Sequence, residues 1–145
     1  RREPVLAWSD LDVLHTAGFR IAAHGRSHAR LDRCDDATLD AELRGAREAI
    51  EQRLSHPCRL LAYPYGLSSR RLRRAAARHF AAAFGMRLDV TTARQDRHDL
   101  PRIDAYYLRS RKAVDRLISG RWRGWLRMRR ALRDVRRAAA MAVGS

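Results

Sequence analysis

The sequence predicts an α/β fold of parallel βα units, continued by a basic helical C-terminal extension. Three observations carry this reading. Short apolar runs at 19–23, 60–63 and 81–84 alternate with stretches of helical periodicity. The first two runs lead directly into turns, His24-Gly25-Arg26-Ser27-His28 and Pro64-Tyr65-Gly66. The composition then shifts at Arg109: from there to Arg137 there are 12 Lys+Arg against two acids, Asp115 and Asp134.

The elements follow in order. Ser9-Asp10-Leu11-Asp12 reads as a helix start, with Ser9 as cap and Asp12 three residues on. Leu11 and Leu14 form its apolar side, and Gly18 stops it. Phe19-Arg20-Ile21-Ala22-Ala23 predicts a short buried strand. A long helix comes next, capped by Asp35 or Asp36, with Leu39, Leu43, Ala46, Ile50 and Leu54 on one face. Arg59 to Tyr63 predicts a second strand, and Ser68 or Ser69 caps a third helix running to about Arg78. Ala81-Ala82-Ala83-Phe84 is a third strand candidate, although alanine is a poor strand former. Thr91 to Asp99 is polar and reads as loop, and Leu100-Pro101-Arg102-Ile103 as extended chain. The Arg-rich region predicts two helices divided around Gly120.

The 145 residues suit one domain of ordinary size. No run reaches the roughly 18 apolar residues of a membrane span. The start, Arg1 to Trp8, has neither an initiator Met nor an apolar signal core, so the chain is expected to be a piece of something longer. Net charge is +15, and Lys112 is the only lysine among 31 basic residues. Such charge favours anionic partners (nucleic acid, acidic lipid or acidic glycan) without choosing among them. Cys34 and Cys58 make no disulfide framework and are expected as free thiols.

Two features carry chemistry. His24 and His28 stand four apart, directly after a predicted strand, and two imidazoles can share one divalent metal. In parallel α/β folds the carboxyl ends of strands gather the active-site loops. Read by spacing alone, the pair equally suits two surface histidines. Tyr63-Pro64-Tyr65-Gly66 also lies at a strand end, where a fixed turn can aim backbone N–H groups at a developing oxyanion. It equally suits a structural βα loop.

The run from Trp8 to His28, the Asp35-capped helix, Leu61-Ala62-Tyr63-Pro64-Tyr65-Gly66 and Leu100-Pro101-Arg102-Ile103 together resemble, in order and spacing, the polysaccharide deacetylases. These are the NodB-homology proteins of carbohydrate esterase family 4. The resemblance covers about residues 8 to 105. It implies an incomplete, distorted (β/α) barrel and a hydrolase that removes N-acetyl groups from amino-sugar polymers or related glycans, such as peptidoglycan. It implies that His24 and His28 ligate a divalent metal, most often zinc, and that the Tyr65 backbone N–H helps hold the oxyanion. Water activated by the metal then attacks the acetyl carbonyl.

The chain departs from the family pattern at three places. The family's first motif, an Asp-Asp pair supplying the general base and a third metal ligand, has no counterpart; Asp35-Asp36 falls after the histidines and reads as a helix cap. Either the chain is a fragment of a complete enzyme or it is a shortened, inactive relative. Many members carry Arg two residues before the Pro of Tyr-Pro-Tyr-Gly, where this chain has Ala62. Arg102, and after it Arg59, are the candidates to replace it. The late Leu-x-x-His motif has only His98 as a candidate, with flanks that do not match, and His15, His56 and His79 read as surface or satisfied core residues.

The expected organisation is a partial deacetylase domain over 1–108 and an Arg-rich helical extension over 109–145. An acetylated glycan is the expected substrate. The extension mixes Trp122, Trp125 and arginines, which suits contact with an anionic surface, or equally a helical face packed through its tryptophans. No specific nucleic acid is expected. The competing functions are a non-catalytic glycan-binding relic of the same fold and a basic membrane- or nucleic-acid-binding protein.

Overall fold

A computed structural model describes residues 5–143; the side chains of Arg123, Arg133 and residues 136–143 lie outside that description, as does the reading of residues 1–4. The elements are α1 (Trp8–Thr16), α2 (Asp36–Leu54), β1 (Leu60–Ala62), α3 (Arg70–Ala76), β2 (Ala82–Leu88), β3 (Leu100–Arg102), α4 (Arg111–Ile118) and α5 (Arg123–Val143). They form two compact units, one of Arg1–Gly85 with Asp96–Asp99, the other of Met86–Gln95 with Leu100–Ser145. The sheet is open and ordered β1-β2-β3, and β1 pairs with β2 in parallel, Leu61 opposite Ala83.

The first unit is held by α2 and the start of the sheet. Asp35 caps α2 by accepting the Thr38 amide at 2.7 Å. Leu39, Leu43, Ala46 and Leu54 are buried at helical spacing, with Ile50 partly buried beside them. Leu39, Leu43 and Ala46 pack in one cluster with Leu61, Tyr63, Leu72, Phe80 and Ala83. Cys34 and Cys58 are both free thiols. Ser69 caps α3 through the Leu72 amide. Ser68 is turned instead to Asp99, which leaves Ser69 as the cap.

Three expectations need correction. Helix α1 begins at Trp8, one residue before the expected cap Ser9; the Asp10 carboxylate accepts the Ala7 amide at 2.7 Å, so Asp10 supplies the capping group. The expected strand 19–23 shrinks to one parallel bridge, Ala23 to Leu61. The reason is the length of β1. A three-residue strand presents only Leu60 C=O and Ala62 N–H on that edge, and Ala23 takes both, at 2.9 and 2.8 Å. Phe19 is accordingly exposed. Strand β2 runs further than expected, to the buried Leu88, because the chain stays extended through Gly85.

The second unit packs Leu88, Trp122 and Leu126 into a small core with Ile103, Tyr107, Leu117 and Trp125 around them. Trp122 and Trp125 stack at 4.7 Å, so the two tryptophans inside the Arg-rich region serve packing. Helices α4 and α5 flank Gly120, which has φ 71°. No helix among the described residues is long and apolar enough to cross a membrane.

Candidate functional site

The carboxyl edge of the first unit's strands carries two turns that meet. The bridge at Ala23 delivers His24, and the end of β1 delivers Pro64-Tyr65-Gly66. The His24 Nδ1 atom lies 2.7 Å from the Ala62 carbonyl. A carbonyl only accepts, so in the neutral ring Nδ1 carries the hydrogen and Nε2 keeps its lone pair. The His24 and His28 rings lie 4.8 Å apart, at 66°. The His28 ring lies a further 4.8 Å from that of Tyr65, edge to face.

The backbone reaches this arrangement through uncommon conformations. His28 has φ 59° and Tyr65 φ 57°, two of the three left-handed non-glycine residues among those described. Each such residue costs about 1–3 kcal/mol and persists only where its surroundings hold it. Gly25, at φ 75°, is a requirement of the corner: a Cβ there would stand 3.2 Å from Pro64 Cγ and 3.4 Å from Glu42 Oε2.

Glu42, on α2, supports the turn between the histidines. Its Oε2 accepts the Arg26 and Ser27 amides, each at 2.9 Å, and its Oε1 accepts the Ser27 hydroxyl at 2.6 Å. Partial burial pushes the Glu42 carboxyl up, but these three donors outweigh it and hold the group below the usual carboxylate range. On the outer side, the Arg30 guanidinium lies 5.5 Å from the centre of the Tyr65 ring. Asp32 fixes that guanidinium through two bonds of 3.0 and 2.8 Å. Sequence reasoning missed Glu42 and Arg30. Glu42 had a signal: it lies within the apolar stripe of Leu39, Leu43 and Ala46, where a carboxylate needs donors of its own.

The remaining candidates belong to other segments of the chain. Arg102 ends β3 in the second unit, beside a cavity of about 400 Å³ lined with Met86, Ile103, Asp104 and Ala105. Arg59 precedes β1, at the opposite end of the strand from Tyr65, in a cavity of about 220 Å³ with Arg20 and His56. His98 is engaged in structure: its Nε2 lies 2.9 Å from the Phe80 carbonyl, and its own carbonyl accepts the hydroxyl of buried Tyr63 at 2.9 Å. His79 bonds Asp40 at 2.8 Å, and His15 lies against His56 with ring centres 4.5 Å apart.

The His24 and His28 rings lie side by side, and the His24 ring is oriented through its second nitrogen, the kind of support that metal-bound histidines use. Among the described residues no group of three or more His, Cys, Asp and Glu comes together.

Comparison with known proteins identifies the family. The polysaccharide deacetylase family model matches residues 4–83. The chain belongs to the polysaccharide deacetylase family. Its fold is similar to that of a polysaccharide deacetylase from Bacillus cereus, with 21% identity over 70% of this chain and 33% of that one, at a TM-score of 0.63. It is also similar to the Streptococcus pyogenes deacetylase PplD, solved in complex with acetate, with 18% identity over 68% of this chain and 44% of that one, at a TM-score of 0.65. The chain thus spans between a third and a half of these solved chains. The fold is that of an unclosed part of their (β/α) barrel. A comparison with curated proteins gave no significant match.

Proposed function

We propose that this chain supplies the histidine half of a metal-dependent deacetylase site acting on N-acetylated amino-sugar glycans. The observation that carries the reading is the meeting of His24, His28 and Tyr65, each ring centre 4.8 Å from the next, at the carboxyl edge of a parallel sheet. A divalent cation, with zinc the first candidate, supplies Lewis-acid polarisation of the acetyl carbonyl and activation of water. His24, through Nε2, and His28 would hold it, and the Ala62 carbonyl keeps the His24 ring in the tautomer that leaves Nε2 free to ligate. The Tyr65 amide, fixed in a left-handed turn beside His28, is the proposed donor to the oxyanion.

The general base and the third ligand belong, on the resemblance, to an Asp pair upstream of the matched residues. The division at residue 108 and the fragment reading belong to the same proposal. The test uses the protein in its full natural length. Acetate release from N-acetylglucosamine oligomers should stop on chelation, return with zinc, and fall at least about 100-fold in His24→Ala, as expected for loss of a group acting through the metal. Undiminished, chelator-resistant release by that variant would refute the assignment.

Contact of the Arg-rich region with an anionic surface is a separate proposal. Met128, Leu132 and Val135 are exposed at helical spacing on α5, with Arg127 beside them. Preferential sedimentation with anionic over neutral vesicles is its check, and equal partition would dismiss it.

A further inference from the structure

We infer that Glu42 is a positioning residue, one that sets His24 and His28 to face a single cation; this deepens the deacetylase reading and rests on it.

On a helix, four-residue spacing by itself brings two side chains together. Residues 24–28 form no helix, so their spacing alone does not bring the rings together. Something outside the turn must fix it, and the contacts name one carboxylate. Glu42 takes three donors from two consecutive residues, Arg26 N–H, Ser27 N–H and Ser27 O–H, at the centre of the five-residue turn. The left-handed His28 directly follows Ser27, so the two bonds to Ser27 constrain the backbone where its conformation is least favourable.

Glu42 itself stands on rigid ground. It lies between Leu39 and Leu43 of α2, both at most 1% exposed, on a helix capped by Asp35. The stiffness of the helix thereby passes through one carboxylate to the turn. On the other side of the turn, Ala62 and Pro64 complete the grip, by the hydrogen bond to His24 and the close approach to Gly25. The hydrogen bonds of Glu42 go to Arg26 and Ser27 and not to an imidazole, so its part is geometric.

The geometry makes the glutamine variant informative. In Glu42→Gln the side-chain amide keeps an oxygen for the two backbone N–H groups and can donate to the Ser27 hydroxyl, so this variant preserves the grip without the charge. Glu42→Ala removes the grip, at a position where Ala favours helix.

The experiment is calorimetric zinc titration of the 145-residue chain, with the visible spectrum of added cobalt(II) as a second readout of nitrogen ligation. Glu42→Ala should weaken zinc binding about 10–100-fold, the usual effect of losing a group that orients a ligand. Its cobalt(II) spectrum should change, while its metal-free melting stays cooperative. Glu42→Gln should remain close to the parent. Ser27→Ala, which loses one bond of three, should fall between them and carries the test if Glu42→Ala folds poorly. Parental affinity in Glu42→Ala, alongside lost affinity in His24→Ala, overturns the role of Glu42 and leaves the metal reading standing. Equal losses in Glu42→Gln and Glu42→Ala overturn positioning through hydrogen bonds. Zinc binding that His24→Ala does not alter, or no zinc binding by the parent, overturns the metal reading and this role with it.

Discussion

The two ends of β1 carry similar residues and are built in different ways. At the carboxyl end, two histidines and a tyrosine are drawn together by a carboxylate, a carbonyl and a glycine that must be a glycine. At the amino end, Arg20, His56 and Arg59 line a cavity of about 220 Å³, and no ion pair is formed by either arginine among the described residues. His15 and His56 even approach more closely there than His24 and His28 do, 4.5 against 4.8 Å. Proximity of imidazoles is therefore a poor guide by itself. What separates the ends is constraint. Left-handed residues occur at both, Ser55 beside His56 at one and His28 and Tyr65 at the other, but at the carboxyl end one carboxylate takes three donors from a single turn, while long cationic side chains line the amino end.

The largest test of this contrast puts a methyl group where the corner has room only for hydrogen. Gly25→Ala should cost about 1–3 kcal/mol, since it meets both an unfavourable φ and Pro64 at 3.2 Å. Arg59→Ala, at the other end, should change stability within about 0.5 kcal/mol and leave zinc affinity as it was. Urea unfolding of the two variants measures both. Equal effects would erase the distinction.

A smaller effect comes from α2, which carries Glu42. The His79 ring hydrogen-bonds the Asp40 carboxyl and lowers its pKa, and the Thr38 amide does the same for Asp35 at the helix cap. A carboxyl with a lowered native pKa adds stability that is full above its unfolded value, about pH 4. That stability is lost as pH falls through the lowered native value. Melting temperature should thus drop with acid below about pH 4, and Asp40→Asn should flatten that slope while leaving Asp35's share. An unchanged slope in Asp40→Asn would contradict that effect of the His79 hydrogen bond.

Much of this architecture was legible in the sequence because local chemistry and burial agree. Asp35, Leu39, Leu43 and Ala46 announce α2 through a cap and a period, and the structure follows both. The Tyr-Pro-Tyr-Gly corner and the histidine turn were legible as strand-end features, and the structure places them side by side. The strand expected at 19–23 was over-read, since pairing depends on how many residues the neighbour offers, and β1 offers three, which leaves one bridge at Ala23. Glu42 was hidden for a related reason. A helix written as one apolar face assigns its charged residues to water, whereas the Glu42 carboxylate accepts three hydrogen bonds from a loop 15 to 16 residues upstream. Arg102 was read as an extended-strand residue and is one, at the end of β3, in the second unit.

The most direct measurement is the location of bound zinc, by anomalous X-ray scattering from crystals of this chain grown with the metal. The account predicts a single strong site ligated by nitrogen from both His24 and His28, next to the Tyr65 corner. Zinc held by His15 and His56, with the His24–His28 face bare, would contradict it.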